Sequence, residues 1–173
     1  MYKGLIKYPL VFWNIAEEIG NGLITVNKKI RENNPRFKRG DKESEVSING
    51  VLGELIARHY LTNNNQEFKS AMLLNLYPEK NADIIIKNKR IDVKTKPINI
   101  FNDLLVNKEA HEKGHNLIDL YWFICLIDET TAEHYVVKYD DVSKWKYKKF
   151  KYTEAHYIDK NTFKYKALNN TTQ

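Results

Sequence analysis

The order of hydrophobic patterns along this chain predicts an α/β or α+β domain with a mixed central β-sheet flanked by helices. Three stretches carry that expectation. Ala82–Lys96, ADIIIKNKRIDVKTK, reads as a β-hairpin, with an Ile-rich run, a polar break and a second run rich in β-branched residues. Ser47–Tyr60 places Val51, Leu52, Leu55, Ile56 and Tyr60 at helical spacing. Leu117–Ile127 is the most apolar run and predicts a central strand, with Glu133–Tyr139 paired to it across Asp128–Thr131.

The totals bound what such a domain can be. The chain has 173 residues, enough for one domain with a proper core. We expect a single domain with a core over about 47–139, an N-terminal helical extension over 1–42 and basic, aromatic strands over 144–168. Hydrophobic residues make up 42% and charged residues 29%, an ordinary globular balance. The net charge of +6 and the pI near 9.2 favour a polyanionic partner. A lone cysteine, Cys125, excludes an internal disulfide framework and reads as a buried, inert thiol. No run reaches the roughly 18 apolar residues a membrane span needs. The N-terminal apolar stretch is broken by Lys7 and Pro9 and leads into Glu17-Glu18, so it reads as mature, cytoplasmic protein.

The elements follow in order. Pro9 to about Glu18 predicts a short helix ended by Gly20-Asn21-Gly22, and a second helix runs from about Leu23 to Asn33. A basic loop, Asn34–Lys42, carries Arg36, Lys38, Arg39 and Lys42. Ser47 is the expected N-cap of the next helix, whose Gly50 and Gly53 would let it approach a sheet closely. Glu54 sits at the edge of its apolar stripe, spaced to pair with Arg58 one turn on. Glu67–Tyr77 gives no clear pattern. After the hairpin, Pro97 breaks the strand and Asn102 is expected to cap a helix reaching about Lys113.

The hairpin is where chemistry concentrates. With Asn88-Lys89 as its turn, Lys87 would face Arg90, Ile85 Asp92, and Asp83 Lys94. Alternation then puts Asp83, Asp92 and Lys94 on one face, with Lys87 and Arg90, and Ile84, Ile86, Ile91 and Val93 on the buried one. Two carboxylates and an ammonium held against a core are how a metal-dependent hydrolytic site is built. The plain alternative is a salt-bridged hairpin in which Lys94 only offsets the acids.

Gly53-Glu54 on a helix, Asp83 opening a strand and Asp92-Val93-Lys94 on the next resemble the PD-(D/E)XK nucleases, the restriction-endonuclease-like superfamily. The likeness covers roughly Ser47 to Ile127, the αβββαβ core of that family, in the manner of its small phage and bacterial members. Ala82 stands where the family name has Pro. What the resemblance implies is Mg²⁺-assisted phosphodiester hydrolysis, with Mn²⁺ able to substitute. Asp83, Asp92 and the Val93 carbonyl would ligate the ion, with Glu54 completing the site and Lys94 orienting the attacking water. DNA, duplex or branched, is the expected substrate in preference to RNA, cut endonucleolytically, and a homodimer is open. Lys38, Arg39, Lys87, Arg90 and Lys96 are the expected phosphate contacts.

Two rivals remain. His111-Glu112-Lys113-Gly114-His115 fits H-E-x-x-H, the zinc-peptidase helix, but Gly114-His115-Asn116 reads as a solvated helix end. His59, His134 and His156 lack ligand spacing and read as structural. The tail Lys144–Tyr152, KWKYKKFKY, reads as a solvated terminal hairpin, with phosphate contacts as its other use. A protein that keeps the fold and binds nucleic acid without cleaving it is the alternative to the nuclease.

Overall fold

A computed structural model describes residues 2–32, 43–70, 82–98, 102–114, 117–150 and 153–163. The elements run β1 (Tyr2–Lys7), α1 (Val11–Glu32), α2 (Glu43–Asn63), β2 (Lys69–Ser70), β3 (Ile84–Ile86) and β4 (Lys89–Lys96). There follow β5 (Asp103–Asn107), α3 (Lys108–Lys113), β6 (Leu120–Leu126), β7 (Thr131–Lys138), α4 (Tyr139–Val142), β8 (Lys146–Lys149) and β9 (Glu154–Asp159). The architecture is mixed α+β. A six-stranded sheet has the order β1-β7-β6-β4-β3-β2, and a three-stranded sheet has the order β5-β9-β8.

The main sheet is mixed because β4 and β6 are parallel while its other neighbours are antiparallel. A parallel pair needs a crossover, and the segment carrying β5 and α3 supplies it. Both faces of β6 are covered, which explains its unbroken apolar run. Trp122 and Ile124 face α2 residues such as Leu52 and Ile56, in a core that also takes Ile84 and Ile91 from the hairpin. Tyr121, Phe123 and Cys125 face the other way, into a second core with Leu104 and Val106 of β5. Among the described residues, no helix is long and apolar enough to cross a membrane.

Several expectations from the sequence change here. Residues 2–7 are not part of a helical extension; they form an edge strand of the main sheet, paired antiparallel with β7. The two short N-terminal helices are one, because Gly20 does not stop the helix but gives room to α2. A Cβ on it would stand 2.8 Å from the Ile48 side chain. Ser47 is buried inside α2 and caps nothing, since that helix already begins at Glu43. Asn102 caps no helix either. The chain first forms β5, and Asn107 caps α3 by accepting a hydrogen bond from the Ala110 N–H. The tail does form a solvated hairpin, β8 with β9, and β9 in addition pairs with β5 and closes the small sheet.

Candidate active site

The hairpin turn falls on Lys87 and Asn88, one residue earlier than the sequence suggests. Both have positive φ, 46° and 63°, which is what a two-residue turn matching strand twist requires. Ile84 therefore faces Ile91, Ile85 faces Arg90 and Ile86 faces Lys89. Moving a two-residue turn by one position shifts the pairing by two, so parity survives. Ile84, Ile86, Ile91 and Val93 join the core under α2, as the alternation requires. Asp92 and Lys94 point to the opposite face.

Asp83 lies just outside β3, and its position has a backbone cause. Its Oδ2 accepts the Val93 N–H at 2.7 Å, taking the place of a strand that stops at Ile84. In extended backbone the Val93 carbonyl faces the same side as that N–H. Lys94 donates from Nζ to Asp92 Oδ1 at 2.6 Å. Asp92 is the more sheltered of the two, at 17% side-chain exposure against 39% for Lys94, so solvent reaches the pair through the ammonium. Tyr121, beside Asp92 across the parallel pair, forms the floor.

Glu54 arrives from α2 because Gly53 lets the helix touch β4. A Cβ on Gly53 would stand 1.8 Å from Thr95 Oγ1, whereas one on Gly50 would meet nothing within 4 Å. Only the first glycine has the close-approach role expected of both. Arg58 Nη2 donates to Glu54 Oε2 at 3.2 Å, so the pairing one helical turn apart is present.

Charge explains how these groups behave together. Three carboxylates, Glu54, Asp83 and Asp92, face the two cations Lys94 and Arg58. Burial first, then the Asp83 charge, raises the Glu54 carboxyl to about 7, with Asp92 adding to the rise and Arg58 opposing it. Asp83 is raised by burial and by the Asp92 charge, against the pull of the Val93 N–H and Lys94. The cluster is thus short of positive charge. Among the described residues, no three His, Cys, Asp or Glu side chains are placed to close around a metal ion. Asp83 is instead turned to backbone and Asp92 to Lys94.

The expected phosphate contacts fare unevenly. Lys38 and Arg39 lie outside the described residues. Lys87 is exposed, but it sits in the turn and not on the strand face with the acids. Arg90 is committed to Asp119, with Nε 3.0 Å and the backbone N–H 2.8 Å from Asp119 Oδ2. No sequence pattern signalled that partner, since the pair depends on β6 lying alongside β4. Lys96 is half-buried and donates to the Asp103 carbonyl at 3.1 Å, anchoring the start of β5. Its ammonium is a strut more than a free contact.

The zinc motif does not assemble on a helix. α3 ends at Lys113, with Gly114 as its C-cap, before His115, which lies outside the described residues. His111 is buried, not solvated. Its Nδ1 is 3.1 Å from the Tyr121 hydroxyl and its Nε2 2.9 Å from Ser143 Oγ, while its ring stacks on Tyr139 at 4.1 Å. His134 is buried against Trp122, whose indole N–H donates to Nδ1 at 3.1 Å, and burial lowers it to about 4. Cys125 is a buried free thiol raised to about 11 by burial.

Compared with known proteins, the chain matches no family model and no curated protein.

Proposed function

We propose that this chain is a Mg²⁺-dependent phosphodiester hydrolase of restriction-endonuclease-like fold, acting on DNA. The observation that carries the reading is the meeting of Asp83, Asp92 and Lys94 beside Glu54 at the mouth of the hairpin. The order within the main sheet supports it: a helix bearing Glu54, then β2, β3 and β4, then α3 and a parallel β6 follow the αβββαβ order of that family, with β5 of the small sheet added between β4 and α3.

The donor set fits a hard divalent cation. Asp83, Asp92 and the Val93 carbonyl offer oxygen only, which suits Mg²⁺, an ion that keeps several waters of its own. The raised carboxyls of Glu54 and Asp83 belong to a cluster that added positive charge would relieve. When bound, the ion would supply Lewis-acid polarisation of the phosphate and a more acidic water.

The remaining steps belong to the chain's own side chains. Asp83, fixed by the Val93 N–H, and Asp92 supply the negative charge that would hold the cation, which in turn would offset their repulsion of a phosphate. Lys94 is exposed enough to reach a phosphate oxygen and neutralise charge developing on it. Glu54, with its carboxyl near 7, can accept or release a proton at neutral pH. Tyr121 and the core beneath it keep water from approaching Asp92 from below.

A second reading has its own observation. The 2.6 Å contact between Lys94 and Asp92 is a closed ion pair, as a non-cleaving nucleic-acid-binding protein would keep. DNA incubated with Mg²⁺, with EDTA, and with an Asp92→Ala chain separates the two. Cleavage that needs Mg²⁺ and Asp92 is expected. Binding without cleavage in Mg²⁺ would select the second reading.

A further inference from the structure

β8 is an edge strand of the small sheet, and each of its residues, Lys146, Tyr147, Lys148 and Lys149, is exposed. Edge strands often carry lysine to deter pairing with other chains. That purpose does not account for the aromatic residues. Tyr147 is 65% exposed, and Phe150, just beyond the strand, is 37% exposed. An apolar ring left in water on an edge strand works against such a guard.

The charge on β8 has one sign. β8 itself holds no carboxylate, and among the described residues no carboxylate pairs with Lys146, Lys148 or Lys149. The nearby Glu154 is already taken by Lys108 at 3.2 Å, and Lys108 Nζ also lies 5.5 Å from the Tyr147 ring centroid. Lys148 Nζ lies 5.7 Å from the Phe150 ring centroid. Tyr147 thus has Lys108 over its ring and Lys149 on its own face, while Lys148 lies by Phe150 on the other face, so the open edge offers a stacking ring with ammonium groups on both sides of it.

We infer that β8 binds a single-stranded segment of DNA along its open edge, with Tyr147 stacking on a base, and with Lys149 on the same face and Lys146 and Lys148 on the other meeting its phosphates from both sides of that edge. Stacking requires a base face that a duplex keeps covered, which selects the single strand. The small sheet packs through Leu104 and Val106 on the face of the main sheet to which Asp92 and Lys94 point. Lys96, two residues past Lys94, ties the start of β5 to β4. A strand held on β8 is therefore on the same side of the molecule as the acids. The inference stands without the hydrolase reading, since it concerns binding alone.

The test is binding of a fluorescein-labelled oligothymidylate about 20 nucleotides long, in EDTA, where cleavage plays no part. Wild type should bind it at least about tenfold more tightly than a duplex of the same sequence. Tyr147→Ala should weaken binding roughly tenfold, whereas Tyr147→Phe keeps the ring and should stay within about twofold. The pair Lys146→Glu and Lys148→Glu should lower the salt slope by about 1.4. These positions are exposed, so circular dichroism should match wild type. Equal affinity for duplex and single strand, no binding by wild type, or Tyr147→Ala binding like wild type would overturn the inference. None of those outcomes touches Mg²⁺-dependent cleavage, which is read separately with Asp92→Ala.

Discussion

Gly53 lies so close to Thr95 that a methyl group on its Cα would stand 1.8 Å from the threonine hydroxyl oxygen and 2.9 Å from its Cβ. This contact sets the distance between α2 and β4, and with it the approach of Glu54 to the hairpin acids. Gly53→Ala must therefore push the helix off the strand or force Thr95 aside. We expect it to cost about 3 kcal/mol in chemical denaturation. Thr95→Ala in the same chain should recover part of that loss by removing the hydroxyl. Gly50→Ala, with nothing within 4 Å, should instead stabilise by up to about 1 kcal/mol. Equal effects at the two glycines would mean that α2 does not rest on β4 at Gly53.

Asp92 and Lys94 should be needed for cleavage and dispensable for folding. Neither faces the core under α2, and their ion pair is partly open to solvent. Asp92→Ala and Lys94→Ala should each reduce Mg²⁺-dependent DNA cleavage by at least about 100-fold, the scale of losing a charge aimed at a transition state. Melting temperatures should remain within a few degrees of wild type. Full activity in either variant would place the chemistry elsewhere.

His111 should prove structural. Both ring nitrogens are within hydrogen-bonding distance of hydroxyls, and the ring lies buried against Tyr139. His111→Ala leaves a cavity and strands the Tyr121 and Ser143 hydroxyls, a loss of about 3 kcal/mol. Cleavage per folded molecule should stay near wild type, and purified protein should contain no stoichiometric zinc. Zinc bound in proportion to protein, and lost with His111, would revive the peptidase motif.

The residues differ in how far they declare themselves in one dimension. The face assignment of Asp92 and Lys94 was legible because alternation depends on parity, and a one-residue error in the turn left parity untouched. Gly53 was legible because glycine in a helix asks for a neighbour. Gly20 misled for the same reason: a glycine that makes room for another helix has the same letter as one that ends its own. The pairing of Arg90 with Asp119, and the place of Tyr121 beneath Asp92, depend on which strand lies next to β4. Nothing local to those residues encodes that neighbour. β5 was hidden because DLLVN before an Asn-capped turn suits a helix start as well as a strand.

Acid stability should depend on Glu133. It accepts from Lys160 at 2.9 Å and from the Tyr135 hydroxyl at 2.8 Å, with Lys3 3.3 Å away. Burial alone would raise its carboxyl, but the hydrogen bonds and charge of Lys160, with Tyr135 and Lys3, outweigh burial and hold it at about 2. A depressed carboxyl stabilises the fold above its unfolded value, about 4.5, and that stabilisation is lost as the pH falls toward 2. Glu133→Gln should therefore destabilise by about 2 kcal/mol at neutral pH, with the gap to wild type closing between about pH 4.5 and 2. Taking the difference between the two chains cancels Glu54 and Asp83, whose raised carboxyls act in the opposite sense. A gap that stayed constant with pH would show that the Glu133 charge is not what matters.

Lys87 lies in the hairpin turn and Arg90 on the strand two residues past it, and they should respond differently to charge reversal. Lys87 is exposed at the tip of the hairpin, so its ammonium is available to a phosphate. Arg90 already serves Asp119, which accepts from both its guanidinium and its backbone N–H. That carboxylate is held below its ordinary range by those same contacts with Arg90. Lys87→Glu should weaken DNA binding for all sequences alike, because phosphate contacts carry no base information. It should also lower the slope of log affinity against log salt by about 0.9 for duplex or about 0.7 for a single strand. Arg90→Glu should leave that slope unchanged and instead lower stability, since it replaces a partly exposed ion pair by two facing carboxylates. Titrations at several salt concentrations, read beside denaturation curves, separate the two effects. A slope change at Arg90 would mean that the guanidinium leaves Asp119 for phosphate when DNA arrives. An unchanged slope at Lys87 would place the bound polyanion away from the hairpin tip.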